Sequence, residues 1–239
     1  MATRIDARTL VYLAVVAIVL PFGFAAFAGA TAENQPNITP YPAKDVRIVI
    51  GTDGHQYLRF STVSWNKGLG PLELRAGDID AANGKQKVFQ RIFSSDGSYR
   101  DVLAGSFVWH AGHNHFHFDD YALYTLQPVN APGASERTSA KTTFCVMDTT
   151  RVDIKLPGAS KRAIYKTCGA TIQGMSVGWG DQYGYQLAGQ AIDIAGLPNG
   201  DYNLKIEVDP KHHLTELDIS DNISTVLLRL NNGTVTLIN

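Results

Sequence analysis

Trp109-His110-Ala111-Gly112-His113-Asn114-His115-Phe116-His117 is the stretch on which the reading of this chain turns. His113, His115 and His117 alternate, and in an extended backbone residues two apart leave the same face. The stretch reads as a β-strand with three imidazoles on one side. Asn114, Phe116 and Phe118 face the other way, the two phenylalanines toward a core. A flat strand would hold the outer two histidines about 13 Å apart at the backbone, from a rise of roughly 3.3 Å per residue. Sharing one ion over that span requires a bend or bulge, which Gly112 would permit.

Outward from this strand the chain repeats short β-like runs: 46–50, 57–65, 72–75, 88–93, 107–109, 115–126, 142–147, 190–194, 202–208 and 224–230. Turn signals such as Asp53-Gly54, Asn83-Gly84, Asp96-Gly97 and Asn199-Gly200 separate them. Strands at this spacing predict an all-β fold, an antiparallel β-sandwich with long loops and little helix beyond a short turn between 159 and 168. A composition of 44% hydrophobic and 18% charged residues, with 22 Gly and 10 Pro in 239 residues, suits one turn-rich folded domain. The formal net charge of −1 offers nothing to nucleic acid or an anionic membrane.

Residues 1–32 differ from the rest. Arg4 and Arg8 precede a stretch with no charge until Glu33, with small residues at Ala28-Gly29-Ala30 and Ala30-Thr31-Ala32 for cleavage. This reads as an export signal or, uncleaved, an amino-terminal membrane anchor. Polar, Pro-rich residues 33–45 read as a linker or arm, and 46–239 as the functional domain. Export places the body in an oxidising compartment, where Cys145 and Cys168 are expected to form a disulfide; two free buried thiols are the alternative.

Three neutral imidazoles suit copper, zinc, nickel or iron, and histidine alone does not choose among them. His110 falls an odd step off the alternation and is read as a neighbour rather than a ligand. The company of these histidines narrows the choice. The run from Trp109 through His113, His115 and His117 to Asp119-Asp120-Tyr121 is followed by Lys141-Thr142-Thr143-Phe144-Cys145-Val146-Met147-Asp148. Gly180-Asp181-Gln182-Tyr183-Gly184 with Ile192-Asp193-Ile194 comes next, then Gly200-Asp201-Tyr202 with Glu216, Asp218, Asp221 and Asn222. In content and order these segments resemble the lysyl oxidase family over roughly residues 36–230.

The resemblance implies a secreted amine oxidase with Cu2+ on His113, His115 and His117. It also implies a lysine tyrosylquinone cofactor (LTQ) made by oxidising Tyr183 and adding the Lys141 amine to its ring. Only a phenol oxidises to an ortho-quinone, and only a neutral amine adds to it. The implied reaction is ping-pong oxidative deamination of a primary amine, a small one or a peptidyl lysine, to an aldehyde. Molecular oxygen restores the cofactor, releasing ammonia and hydrogen peroxide. Asp181 corresponds to the family's candidate general base and would need a raised pKa. Calcium is implied on Asn37, Ile38, Glu216, Asp218, Asp221 and Asn222, although Asn37 stands where the family carries Asp. This chain has far fewer cysteines than animal members of the family, has no long basic pro-region, and resembles a lean microbial member. The competing reading is a secreted, non-catalytic metal-binding β-sandwich for adhesion or copper handling; a cupin-like metalloenzyme is a third.

Overall fold

A computed structural model describes residues 31–80, 82–112 and 114–238. Nearly all of the expected leader over 1–32 lies outside the described residues, and so does His113. Among the described residues seventeen strands follow one another: β1 (Glu33–Asn34), β2 (Ile38–Pro40), β3 (Lys44–Ile50), β4 (Gln56–Asn66), β5 (Leu72–Asp80), β6 (Lys85–Ser94), β7 (Tyr99–His110), β8 (His115–Phe118), β9 (Ala122–Asn130), β10 (Arg137–Thr138), β11 (Thr150–Arg151), β12 (Ile172–Met175), β13 (Trp179–Tyr183), β14 (Ala191–Asp193), β15 (Gly200–Val208), β16 (Ile223–Asn231) and β17 (Thr234–Leu237). No helix forms among the described residues, and 159–168 is irregular. The all-β expectation holds.

Every pairing is antiparallel, in three sheets ordered β12-β5-β6-β7-β8, β10-β9-β15-β16-β17 and β11-β13-β4-β14, with β1 added to β6 and β2 and β3 to β4. The strands form where the sequence alternates. On β15, Tyr202, Leu204, Ile206 and Val208 are buried while Asn203, Lys205 and Glu207 are partly exposed. One core, to which Leu58, Phe60, Leu74, Phe107, Phe118, Tyr124, Leu204 and Ile206 belong, is shared by all three sheets. Fully burying each such side chain stabilises by about 1.5–3 kcal/mol.

Three expectations are corrected. The single strand over 115–126 is two, β8 and β9, because Asp120 takes a left-handed backbone at φ 51° and turns the chain between them. The run 142–147 is not a strand. It bridges β8 only at Phe144–Phe118 and gives Thr142 O to Ala122 N–H. Finally, 33–45 is not a free linker: β1 pairs with β6, β2 with β4, and Ile38 is fully buried.

Candidate active site

β7 and β8 form a hairpin in which His110 pairs with His115, Val108 with His117, Trp109 with Phe116 and Phe107 with Phe118. Directly opposed residues on antiparallel strands point to the same face. Thus His110, His115 and His117 share a face although they come from two strands. The ring centroids of His110 and His115 each lie 4.8 Å from that of His117. The expected bend is a reversal of the chain between β7 and β8, closed by Asn114 N–H to His110 O at 2.9 Å. Asn114, at φ 56°, supplies the left-handed residue there. His115 therefore opens β8.

His115 Nε2 and His117 Nε2 stand 2.9 Å apart. Two nitrogens bound at roughly 2.0–2.1 Å to one ion at a right angle would be separated by about that distance, so the pair fits a shared transition metal as well as a hydrogen bond. The Nδ1 of the buried His117 lies 3.2 Å from the Thr143 hydroxyl. An imidazole that donates its Nδ1 proton there keeps its Nε2 lone pair for a metal.

Tyr183 and Asp181 lie two apart on β13, which pairs with the carboxyl-terminal half of β4, and both face inward; Gln182 between them is exposed. The Tyr183 hydroxyl donates to Cys145 O at 2.7 Å, and its ring meets Phe144 edge-on at 4.9 Å. Lys141 comes from the loop that follows β10. Its Nζ lies 4.9 Å from the centroid of the Tyr183 ring and 4.6 Å from that of Phe144. Gly189, at φ 79°, backs the lysine: a Cβ there would stand 2.5 Å from Lys141 Cδ. The loop carrying Gly189 is clamped by Arg59, which donates to Tyr185 O at 2.8 Å and to Leu187 O at 2.6 Å.

Burial sets the protons. Asp181, 2% exposed, is pushed up to about 8 by desolvation, against the hydrogen bonds it accepts from Met147 N–H and the Thr149 hydroxyl. Burial lowers the pKa of Lys141, which the nearby Asp181 partly offsets. Burial also pushes the Tyr183 phenol well above its ordinary value. Near neutral pH the site thus favours a protonated acid, a neutral phenol and a more readily deprotonated amine.

These groups line one cavity of about 440 Å³, which Tyr183, Lys141, Asp181 and His115 share with the apolar Met147, Leu187 and Ala188. Lys141 and His110 also line an adjoining cleft of about 300 Å³. Cys145 and Cys168 are joined in a disulfide that forms part of the first cavity's wall. The bond links two supports of the site, since Cys145 O accepts from Tyr183 and Cys168 O accepts from Phe116 N–H of the histidine hairpin at 3.4 Å.

A family model for lysyl oxidase matches residues 99–239, more than half of the chain. The chain belongs to the lysyl oxidase family. It is 35% identical over 118 residues to lysyl oxidase homolog 3B of Danio rerio, 34% over 122 residues to human protein-lysine 6-oxidase and 29% over 119 residues to lysyl oxidase homolog 2 of Rattus norvegicus. Each match covers 49% of this chain, and 14%, 27% and 14% of those relatives respectively. The match to the lysyl oxidase family takes in the histidine hairpin, Lys141, Asp181 and Tyr183.

The residues expected to hold calcium do come together, 216–222 folding against Pro36–Thr39. Ile38 N–H donates to Glu216 Oε2 at 2.5 Å, the Asn222 amide to Glu216 Oε1 at 3.0 Å, and the Asn37 amide to Asp221 Oδ2 at 3.2 Å. Nitrogen donors reach several of these carboxylate oxygens, while the buried Asp221 Oδ1 and Asn222 Oδ1 keep no hydrogen-bond partner among the described residues. Sequence reasoning missed Thr143, Gly189 and Arg59, none of which carries a signal in the sequence; His110, read as a neighbour of the cluster, packs its ring 4.8 Å from that of His117.

Proposed function

We propose that this chain is an exported, copper-dependent amine oxidase that makes a lysine tyrosylquinone from Lys141 and Tyr183 and converts primary amines to aldehydes. The observation that carries this reading is Lys141 Nζ held over the Tyr183 ring beside the buried Asp181, in a cavity that His115 also lines. Membership of the lysyl oxidase family supports copper-dependent amine oxidation in general terms.

His115 and His117, with His113 by the family resemblance, would hold the copper. Copper and the quinone would together supply the two-electron chemistry that takes electrons from the amine and hands them to oxygen. The chain's own residues do the rest. The Cys145 carbonyl holds the Tyr183 hydroxyl, so the ring keeps one face toward Lys141. Burial leaves the Lys141 amine easier to deprotonate, as a nucleophile must be. Asp181, ionised above about 8, can accept a proton from a carbon held in the cavity. Met147, Leu187, Ala188 and the disulfide give the cavity an apolar lining that favours an aliphatic amine delivered as the neutral base. A protein-borne lysine, the substrate for which the human relative is named, and a small alkylamine both meet that description. The disulfide supports an oxidising, extracytoplasmic location.

The test is aerobic copper loading of the purified chain. A visible quinone absorbance that reacts with phenylhydrazine, and that is lost in Tyr183→Phe and Lys141→Ala, is expected, followed by amine-dependent peroxide release. A colourless, phenylhydrazine-inert protein with full copper would overturn the proposal in favour of a non-catalytic copper protein.

A further inference from the structure

The calcium implied by the family resemblance meets a disagreement in this chain, and the disagreement has a physical shape. Three carboxylates, Glu216, Asp218 and Asp221, gather where 216–222 folds over β2. Each Glu216 oxygen accepts one hydrogen bond, from Ile38 N–H and from the Asn222 amide. Asp218 Oδ1 accepts from Ser220 N–H at 2.8 Å and its hydroxyl at 2.6 Å. The Asn37 side-chain oxygen accepts Asp218 N–H at 2.9 Å, and its NH2 end donates to Asp221 Oδ2. The same Asp221 oxygen takes the Lys67 ammonium in an ion pair.

Lys67 is held to this task by its backbone. It follows the end of β4, and its N–H donates to Asn37 O at 2.9 Å. Its side chain, 39% exposed, lies over the acidic turn against an Asp221 that is 25% exposed. Two buried oxygens, Asp221 Oδ1 and Asn222 Oδ1, keep no hydrogen-bond partner among the described residues.

We propose that Lys67 supplies from within the chain the positive charge that a bound divalent cation would otherwise bring, pinning the amino-terminal β2 to the 216–222 turn without calcium. Asn37 and Lys67 act together: the amide in place of a carboxylate removes one negative charge, and the ammonium adds one positive charge beside it.

Thermal melting of the full chain in 1 mM CaCl2 and in EGTA tests this. The wild-type curves are expected to coincide, and calcium titration calorimetry to show no saturable heat. In EGTA, Lys67→Met should melt about 2–4 °C lower, the shift expected for roughly 1 kcal/mol in a domain of this size. Lys67→Arg, which keeps the charge, should stay within about a degree of wild type. A wild-type melting point that rises with CaCl2, or a Lys67→Met variant that melts with wild type in EGTA, would overturn the proposal. So would a Lys67→Arg variant as unstable as Lys67→Met, which would assign the loss to packing rather than charge.

Discussion

Gly189 touches Lys141 so closely that the glycine is part of how the lysine is aimed. Its φ of 79° disfavours any side chain, and an added Cβ would collide with the stem of Lys141. Gly189→Ala is expected to displace the amine from the Tyr183 ring. Quinone formation after copper loading should slow on the order of tenfold or more, since a displacement of about 1 Å can cost that much. Copper content, measured by metal analysis, should be unchanged. A variant that matures at the wild-type rate would show that the lysine finds its position without the glycine.

Asp181 should set the acid-side limb of the activity. With its pKa raised to about 8 by burial, kcat is expected to climb as pH rises toward 8 and then level. Asp181→Asn should remove that limb and cost about 10²–10⁴-fold. Stability moves the other way. The folded pKa lies above that of the unfolded chain, so the folded state holds a proton the unfolded state has lost between about pH 4 and 8, and stability from this group declines over that window. Melting curves at pH 5 and pH 8 should show wild type losing more stability than Asp181→Asn.

Thr143 is expected to tune the copper site without touching the metal. Thr143→Val keeps the shape but removes the hydroxyl at His117 Nδ1. Copper affinity, read by competition with a chromogenic chelator, should fall about 10–100-fold. Unchanged affinity would mean that His117 is oriented by its packing alone.

The Cys145–Cys168 bond closes a loop of sequence separation 23, for which the chain-entropy account gives about 3 kcal/mol. The Cys145→Ser/Cys168→Ser double variant should melt about 6–12 °C below wild type, at 2–4 °C per kcal/mol for this chain length. Wild type treated with dithiothreitol should match it. If the reduced wild type melts with the oxidised protein, the bond contributes nothing to the fold.

Most of the strand content was legible because alternation writes itself into a half-buried sheet, as on β15. The boundaries that failed did so where one local backbone angle decides, at Asp120 and Asn114, both non-glycine residues in the left-handed region. Residues 33–45 looked like a linker because polar and proline-rich composition says nothing about pairing with a strand such as β4 far along the chain. For the site, Lys141, Tyr183 and Asp181 could be singled out from motif contexts, and the fold brings the three together. The supports could not. Thr143, Gly189 and Arg59 act through contacts across the fold, and none differs in type from dozens of surface residues.

The β7–β8 hairpin makes the proposed metal site an all-or-nothing assembly. Trp109 meets Phe116 at 5.1 Å and Phe107 meets Phe118 at 6.3 Å on one face, while His110, His115 and His117 gather on the other. Sliding one strand past the other by a single residue would exchange the two faces, turning phenylalanine toward the metal and imidazole into the hydrocarbon. The paired aromatic rings are therefore the key that sets the lock: by forbidding the neighbouring register, they decide which of the chain's nitrogens can ever meet at one ion.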